Sequence, residues 1–212
     1  QNLNSLNSKS FAVILVAVVG ALALLYFYNA SQGSGEDWRE YLGGPHRNHY
    51  STLTQIDSTN VDQLQVAWEY HTGDSGQVQC NPIIVDGVLY GLSAAVNLFA
   101  LDAASGKEIW KVQDTIGVKW YGSVRGVTYW EDGDDKRILY AKESCLHAVD
   151  ARTGEPLAAF GNGGRVSLKA GLGETAREKF VISNTPGTLY KDIIIMPLRL
   201  SDGSDAAPGY IQ

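Results

Sequence analysis

Two stretches of this 212-residue chain repeat each other. Ala100–Trp110 reads ALDAASGKEIW, and Ala148–Phe160, beginning 48 residues later, reads AVDARTGEPLAAF. Each follows an apolar hairpin pattern, Ile83–Tyr90 in the first copy and Ile138–Ala141 onward in the second. A period of about 40–50 residues built from several short strands is the mark of a propeller blade. The repeat unit has a physical logic. The Asp side chain closes a turn, Gly106 or Gly154 takes a positive φ, and the terminal aromatic packs on the neighbouring blade. The same residues would also serve a pair of ordinary Asp…Gly hairpins. The second copy ends in Phe160 instead of Trp, which predicts a weaker docking contact there.

Strand patterns recur closely along the rest of the chain: Val66–Tyr70, Pro82–Val85, Val88–Gly91, Leu98–Leu101, Glu108–Val112, Gly126–Trp130, Arg137–Ala141, Leu146–Val149 and Asp192–Met196. Asp86-Gly87 between IIV and VLYG predicts a two-residue hairpin. Only Thr175–Phe180 reads as briefly helical. The 23 glycines, with many Tyr and Trp, suit strands and tight turns better than a helical bundle. A net charge of −6 without a Lys/Arg block excludes a nucleic-acid binder. Cys80 and Cys145 make neither a disulfide scaffold nor a zinc site by themselves and read as small buried thiols. His46, His49, His71 and His147 share no metal spacing, and Trp38 and Trp68 read as core.

Residues 11–28 (FAVILVAVVGALALLYFY) form an uncharged run about 27 Å long as a helix, enough to cross a hydrocarbon core. Lys9 precedes it, and Glu36 and Asp37 follow. Positive-inside logic then predicts a transmembrane anchor with everything after it exported, in a bacterium to the periplasm. A cleaved signal peptide is the competing reading. The expected organisation is an N-terminal flank at 1–10, the anchor at 11–28, a linker at 29–36 and a β domain at 37–212. The chain starts at Gln1 and stops after Gly209-Tyr210-Ile211, which reads as mid-strand. We therefore expect an unfinished propeller of roughly three blades.

The pattern A-x-D-x-x-[ST]-G-x-x-x-W resembles the tryptophan-docking motif of quinoprotein dehydrogenases, eight-bladed propellers that carry pyrroloquinoline quinone (PQQ). The segments DWREYLGGPHRNHYSTLTQIDSTNVDQLQVAWEYHTGD, NPIIVDGVLYG, LFALDAASGKEIW and RGVTYW are similar to the start of that propeller. The resemblance covers about Asp37 to Gln212 and is greatest to the membrane-bound glucose dehydrogenase type. It implies an all-β fold, a partial eight-bladed propeller, preceded by one transmembrane helix. Relatives that oxidise simple alcohols carry two adjacent Cys before the Arg-Gly step. Here that stretch is Trp120-Tyr121-Gly122-Ser123-Val124, which favours the sugar branch. Two further departures are Ala95, where the glucose enzymes have a His, and Gln79, where a cofactor-contacting Glu is usual.

The resemblance implies a site residue by residue. Arg125, in VRGVTYW, matches the Arg beside the quinone oxygens, and Gly126 lets the backbone come close. Ser183 and its neighbour Asn184, before Thr185-Pro186, match a cofactor-contacting position. Gln79 would donate an amide hydrogen bond to a cofactor carboxylate. Asp202, in MPLRLSDG, matches the acidic ligand of a Ca²⁺ or Mg²⁺ ion. The catalytic base is expected beyond Gln212, so this stretch alone is expected to be inactive. The implied function is PQQ-dependent oxidation of an aldose or alcohol, with electrons passing to membrane quinone or a cytochrome. A non-catalytic propeller scaffold and a degenerate relative without cofactor are the alternatives.

Overall fold

The computed structural model describes residues 37–112 and 123–209. The predicted anchor at 11–28 lies outside them. Among the described residues no helix is long and apolar enough to cross a membrane.

Two four-stranded antiparallel sheets dominate. The first runs β1 (Ile83–Val85), β2 (Val88–Leu92), β3 (Leu98–Asp102), β4 (Glu108–Lys111), in that spatial order. The second repeats the order with β5 (Thr128–Asp132), β6 (Asp135–Lys142), β7 (Cys145–Asp150) and β8 (Arg165–Ser167). A third unit begins with β9 (Val181–Ile182), then the hairpin β10 (Thr188–Tyr190) and β11 (Ile193–Ile195), and β12 (Arg199–Leu200), which pairs with β9. Up-and-down sheets in series are propeller blades. The segment Asp37–Arg39 lies beside β1 through a two-bond bridge between Trp38 and Ile84.

The first hairpin of each unit turns on two residues. Val85 pairs with Val88 around Asp86-Gly87, both at positive φ (51° and 76°), as a type I′ turn requires. Asp132 pairs with Asp135 around Gly133-Asp134, and Tyr190 with Ile193 around Lys191-Asp192.

Strands buried on both faces explain the continuous apolar runs. Ile138 and Tyr140 of β6 face the first blade, in a cluster with Ile83, Val85, Tyr90 and Leu98. Leu139 and Ala141 face the other way, packing with Leu168, Leu172, Val181 and Met196. A period of two thus feeds two interfaces from one strand.

The repeat closes as expected in its turn. Asp102 Oδ1 accepts from the Ser105 amide at 2.8 Å, and Asp150 Oδ1 from Arg152 and Thr153 at 2.8 and 3.0 Å. Gly106 and Gly154 have φ of 70° and 74°. Trp110 lies across Gly154, where a Cβ would stand 2.7 Å from the ring, and its Nε1 donates to Ala151 O at 3.2 Å. Trp68 does the same one blade earlier, lying across Gly106 and donating to Ala103 O at 3.2 Å. Trp68 is therefore a second docking tryptophan, not an ordinary core residue.

Three expectations need correction. Val66–Tyr70 carries no strand ladder; it is held by side chains, with Tyr70 against Phe99 at 5.0 Å and hydrogen-bonded to Glu108. Helix at Thr175–Phe180 shrinks to one 3-10 turn at Glu174–Ala176. The second repeat also breaks its outer strand. Pro156 bridges Val149 but has no N–H to continue the ladder; Leu157 N–H still donates to Ala148 O at 3.0 Å, residues 158–163 then loop out, and Gly164 O accepts from Ala148 N–H at 2.9 Å before pairing resumes at Arg165. Gly161, Gly163 and Gly164 take positive φ in that excursion, and Phe160 is carried into the second core cluster.

Candidate functional site

The three units are stitched together by backbone hydrogen bonds just before their first hairpins. Asn81 N–H donates to Arg125 O at 2.8 Å, and Arg125 N–H donates to Asn184 O at 2.8 Å. Each of these residues directly precedes a hairpin, β1–β2, β5–β6 or β10–β11. Positions far apart in sequence so arrive in one row. Gly126 is required there, since a Cβ would stand 3.0 Å from Asn81 O and 3.2 Å from the Tyr41 ring.

A cavity of about 370 Å³ opens at this junction, lined in part by Gln79, Ser123, Arg125, Asn184, Thr185 and Arg199. Among the described residues no acidic side chain lines it. The Asn184 amide donates through Nδ2 to Ser123 O, while its Oδ1 is buried without a partner. A buried unpaired acceptor is costly and marks a place where a ligand atom would be welcome. Arg199 comes from β12, opposite Ile182 of β9, which sets it close in sequence pairing to Ser183-Asn184.

Of the residues nominated from sequence, the fold brings Gln79, Arg125 and Asn184 to one cavity. Ser183 adjoins them but is buried, with Oγ donating to Thr185 O at 2.9 Å, and it is not part of the lining. Asp202 sits in an exposed bend outside the lining. Among the described residues no group of three His, Cys, Asp or Glu could hold a metal ion. Arg199 was missed. Its only sequence signal is a lone cation between Leu198 and Leu200 in MPLRLSDG.

The neighbourhood is rigidly held. Asp74 accepts from Thr72 Oγ1 at 2.7 Å, from the Ala95 amide at 3.2 Å and from Asn97 Nδ2 at 3.4 Å, and also from Ser93 Oγ. This fastens the β2–β3 loop, where buried Val96 has φ 58°. Cys80, next to Gln79, is pushed up to about 11 by burial, against the Leu92 amide that donates to its sulfur at 3.3 Å. It is an inert thiol at neutral pH.

A larger cavity of about 500 Å³ lies along β5 and β10, against residues 39–47. Its arginines already have partners. Arg39 pairs with Asp37, Asp86 and Glu131 at 2.8–2.9 Å, and Arg47 stands over the Tyr41 ring and donates to Thr188.

Known proteins agree with this fold. Residues 38–212 match the family model "PQQ: Glucose/ethanol/alcohol dehydrogenase, beta-propeller domain". The large subunit of glycerol dehydrogenase from Gluconobacter oxydans is 35% identical over 194 residues, 82% of this chain and 26% of that protein. The quinoprotein glucose dehydrogenase of Escherichia coli is 30% identical over 183 residues, 76% of this chain and 23% of its own length. The structure of quinohemoprotein alcohol dehydrogenase ADHIIG from Pseudomonas putida superposes with a TM-score of 0.65 at 24% identity, covering 78% of this chain and 23% of that one, and supports the fold. The chain thus spans about a quarter of the length of these relatives. On the family match, the docking tryptophans and the blade order, the chain belongs to the PQQ-dependent dehydrogenases, within their β-propeller domain.

Proposed function

We propose that the protein containing this chain is a PQQ-dependent dehydrogenase that oxidises a sugar, polyol or alcohol hydroxyl on the outer side of a membrane. The observation that carries the reading is the cavity where three blade units meet, with two guanidiniums, a buried unpaired amide oxygen and no acid among its described lining residues. The two guanidiniums fit a flat, anionic cofactor bearing carboxylates. PQQ, when bound, supplies the electron-pair acceptor for the substrate, with Ca²⁺ or Mg²⁺ as an accompanying Lewis acid.

This chain's residues would hold and polarise. Arg125 offers a positive charge to oxygens on which negative charge develops. Gln79 can donate an amide hydrogen bond to a carboxylate. Asn184 Oδ1 is the oxygen that the cavity itself offers to a hydroxyl or a hard cation. The metal-ligand role of Asp202 and the cofactor contact of Ser183 rest on the resemblance. Residues 11–28 would anchor the protein, so that electrons pass to membrane quinone or a cytochrome.

The test is reconstitution of the full-length protein with PQQ and Ca²⁺ or Mg²⁺, assayed by dye reduction with glycerol, glucose and ethanol. Activity that depends on both PQQ and metal, lowered about 100-fold or more in turnover by Arg125→Ala, is expected. An Arg125→Ala enzyme that turns over like the parent would sink the site assignment. Fractionation of the same protein checks the anchor; release to the soluble fraction would show cleavage instead.

A further inference from the structure

Most arginines of this chain already have partners. Arg39, Arg137, Arg152 and Arg177 each pair with a carboxylate, and Arg47 has Tyr41 and Thr188. Arg165 lies exposed on β8, outside this cavity. Arg125 and Arg199 differ. Among the described residues neither guanidinium has a hydrogen bond or ion pair, and both line the same cavity of about 370 Å³, which has no acid in its walls. Two free cations converging on one polar, uncompensated cavity repel each other unless an anion sits between them.

We propose that Arg199 is a carboxylate-binding residue of this cavity, acting with Arg125 as the two jaws of an anion clamp. The inference rests on the PQQ reading above and deepens it by adding a residue on β12 that no family motif nominated. The placement of Arg199 supports the assignment. Its strand pairs with β9, and β9 leads directly into Ser183-Asn184, so the Arg199 backbone is fixed relative to the Asn184 backbone that Arg125 also holds. A planar guanidinium suits a carboxylate because it can donate two parallel N–H bonds. The carboxylate has two possible sources: the cofactor, or the acid group of a hydroxy-acid substrate.

The experiment uses the full-length protein as apoenzyme, with Arg199→Gln, Arg199→Lys and, as a surface control, Arg177→Gln. PQQ binding is followed by quenching of tryptophan fluorescence, and thermal melting reports folding. If the clamp holds the cofactor, Arg199→Gln weakens PQQ binding about tenfold or more, Arg199→Lys restores part of it, and Arg177→Gln binds like the parent. If it holds a substrate acid group, PQQ binding is unchanged. The KM for a hydroxy acid such as gluconate then rises about tenfold or more, while that for glycerol stays fixed. Unchanged PQQ binding with no difference between the two substrates overturns the proposal. A parent protein that does not bind PQQ at all overturns the family-level function, and the clamp with it.

Discussion

The first and second blades start from the same plan and end differently. Both have a two-residue first hairpin, an Asp-closed turn and a positive-φ glycine. In the first, the outer strand continues at once to Trp110, whose ring lies over Gly154 of the next blade. In the second, the ladder is interrupted after Pro156, residues 158–163 loop out, and Phe160 joins a broad cluster with Leu157, Leu168 and Leu172. The difference teaches that docking is a two-blade device. One blade supplies a tryptophan and the next supplies the glycine and the carbonyl that receive it. The first interface is a geometric lock, whereas the second is held by distributed apolar packing.

The largest effect should come from blocking the lock. Gly154→Val places a branched side chain where a Cβ alone would stand 2.7 Å from the Trp110 ring, at a φ of 74° that Val avoids. We expect a loss of roughly 3–5 kcal/mol in the full-length protein, read by urea unfolding. Trp110→Ala, which removes the ring but leaves the backbone easy, should cost roughly 3 kcal/mol. Phe160→Ala, lacking a glycine seat and half-buried, should cost roughly 1–2 kcal/mol. Equal losses for Trp110→Ala and Phe160→Ala would erase the distinction between the two interfaces.

Much of the fold was legible because local chemistry and tertiary packing agree. Asp86-Gly87 allows only a tight hairpin, and ILYA in β6 must bury both faces. The break in the second outer strand was legible in principle at Pro156, but the repeat's similarity masked it. Trp68 was misread because its glycine seat, Gly106, lies in another repeat unit. The site was half legible. Asn81, Arg125 and Asn184 precede hairpins and share a row along the blades, and Gln79 stands two residues before Asn81. Arg199 could not be seen, because its place depends on the β9–β12 pairing, which skips over an intervening hairpin.

The smallest expected effect concerns charge, and it too separates the interfaces. Among the described residues the ion pairs that cross between blades lie at the first interface, where Lys136 reaches Asp86 at 2.9 Å and Arg39 joins Asp86 to Glu131. The hydrogen bond from Lys136, helped by Arg39, holds the Asp86 carboxyl below the ordinary carboxylate value of 3.8. A depressed pKa in the folded state stabilises at pH values above the unfolded pKa. That contribution fades as pH falls below 3.8 through the folded value. The groups are well exposed, with side-chain exposures of 52% for Asp86 and 32% for Lys136, so solvent screening limits the effect. Asp86→Asn should therefore cost roughly 0.5 kcal/mol at pH 7 and low salt, less at high salt, and progressively less as pH falls below 3.8. Stability measured from pH 7 to 2.5 should show the mutant and parent curves converging in acid. Curves that stay parallel throughout would mean that the carboxylate's charge contributes nothing, and that the first interface, like the second, is held without help from ion pairs.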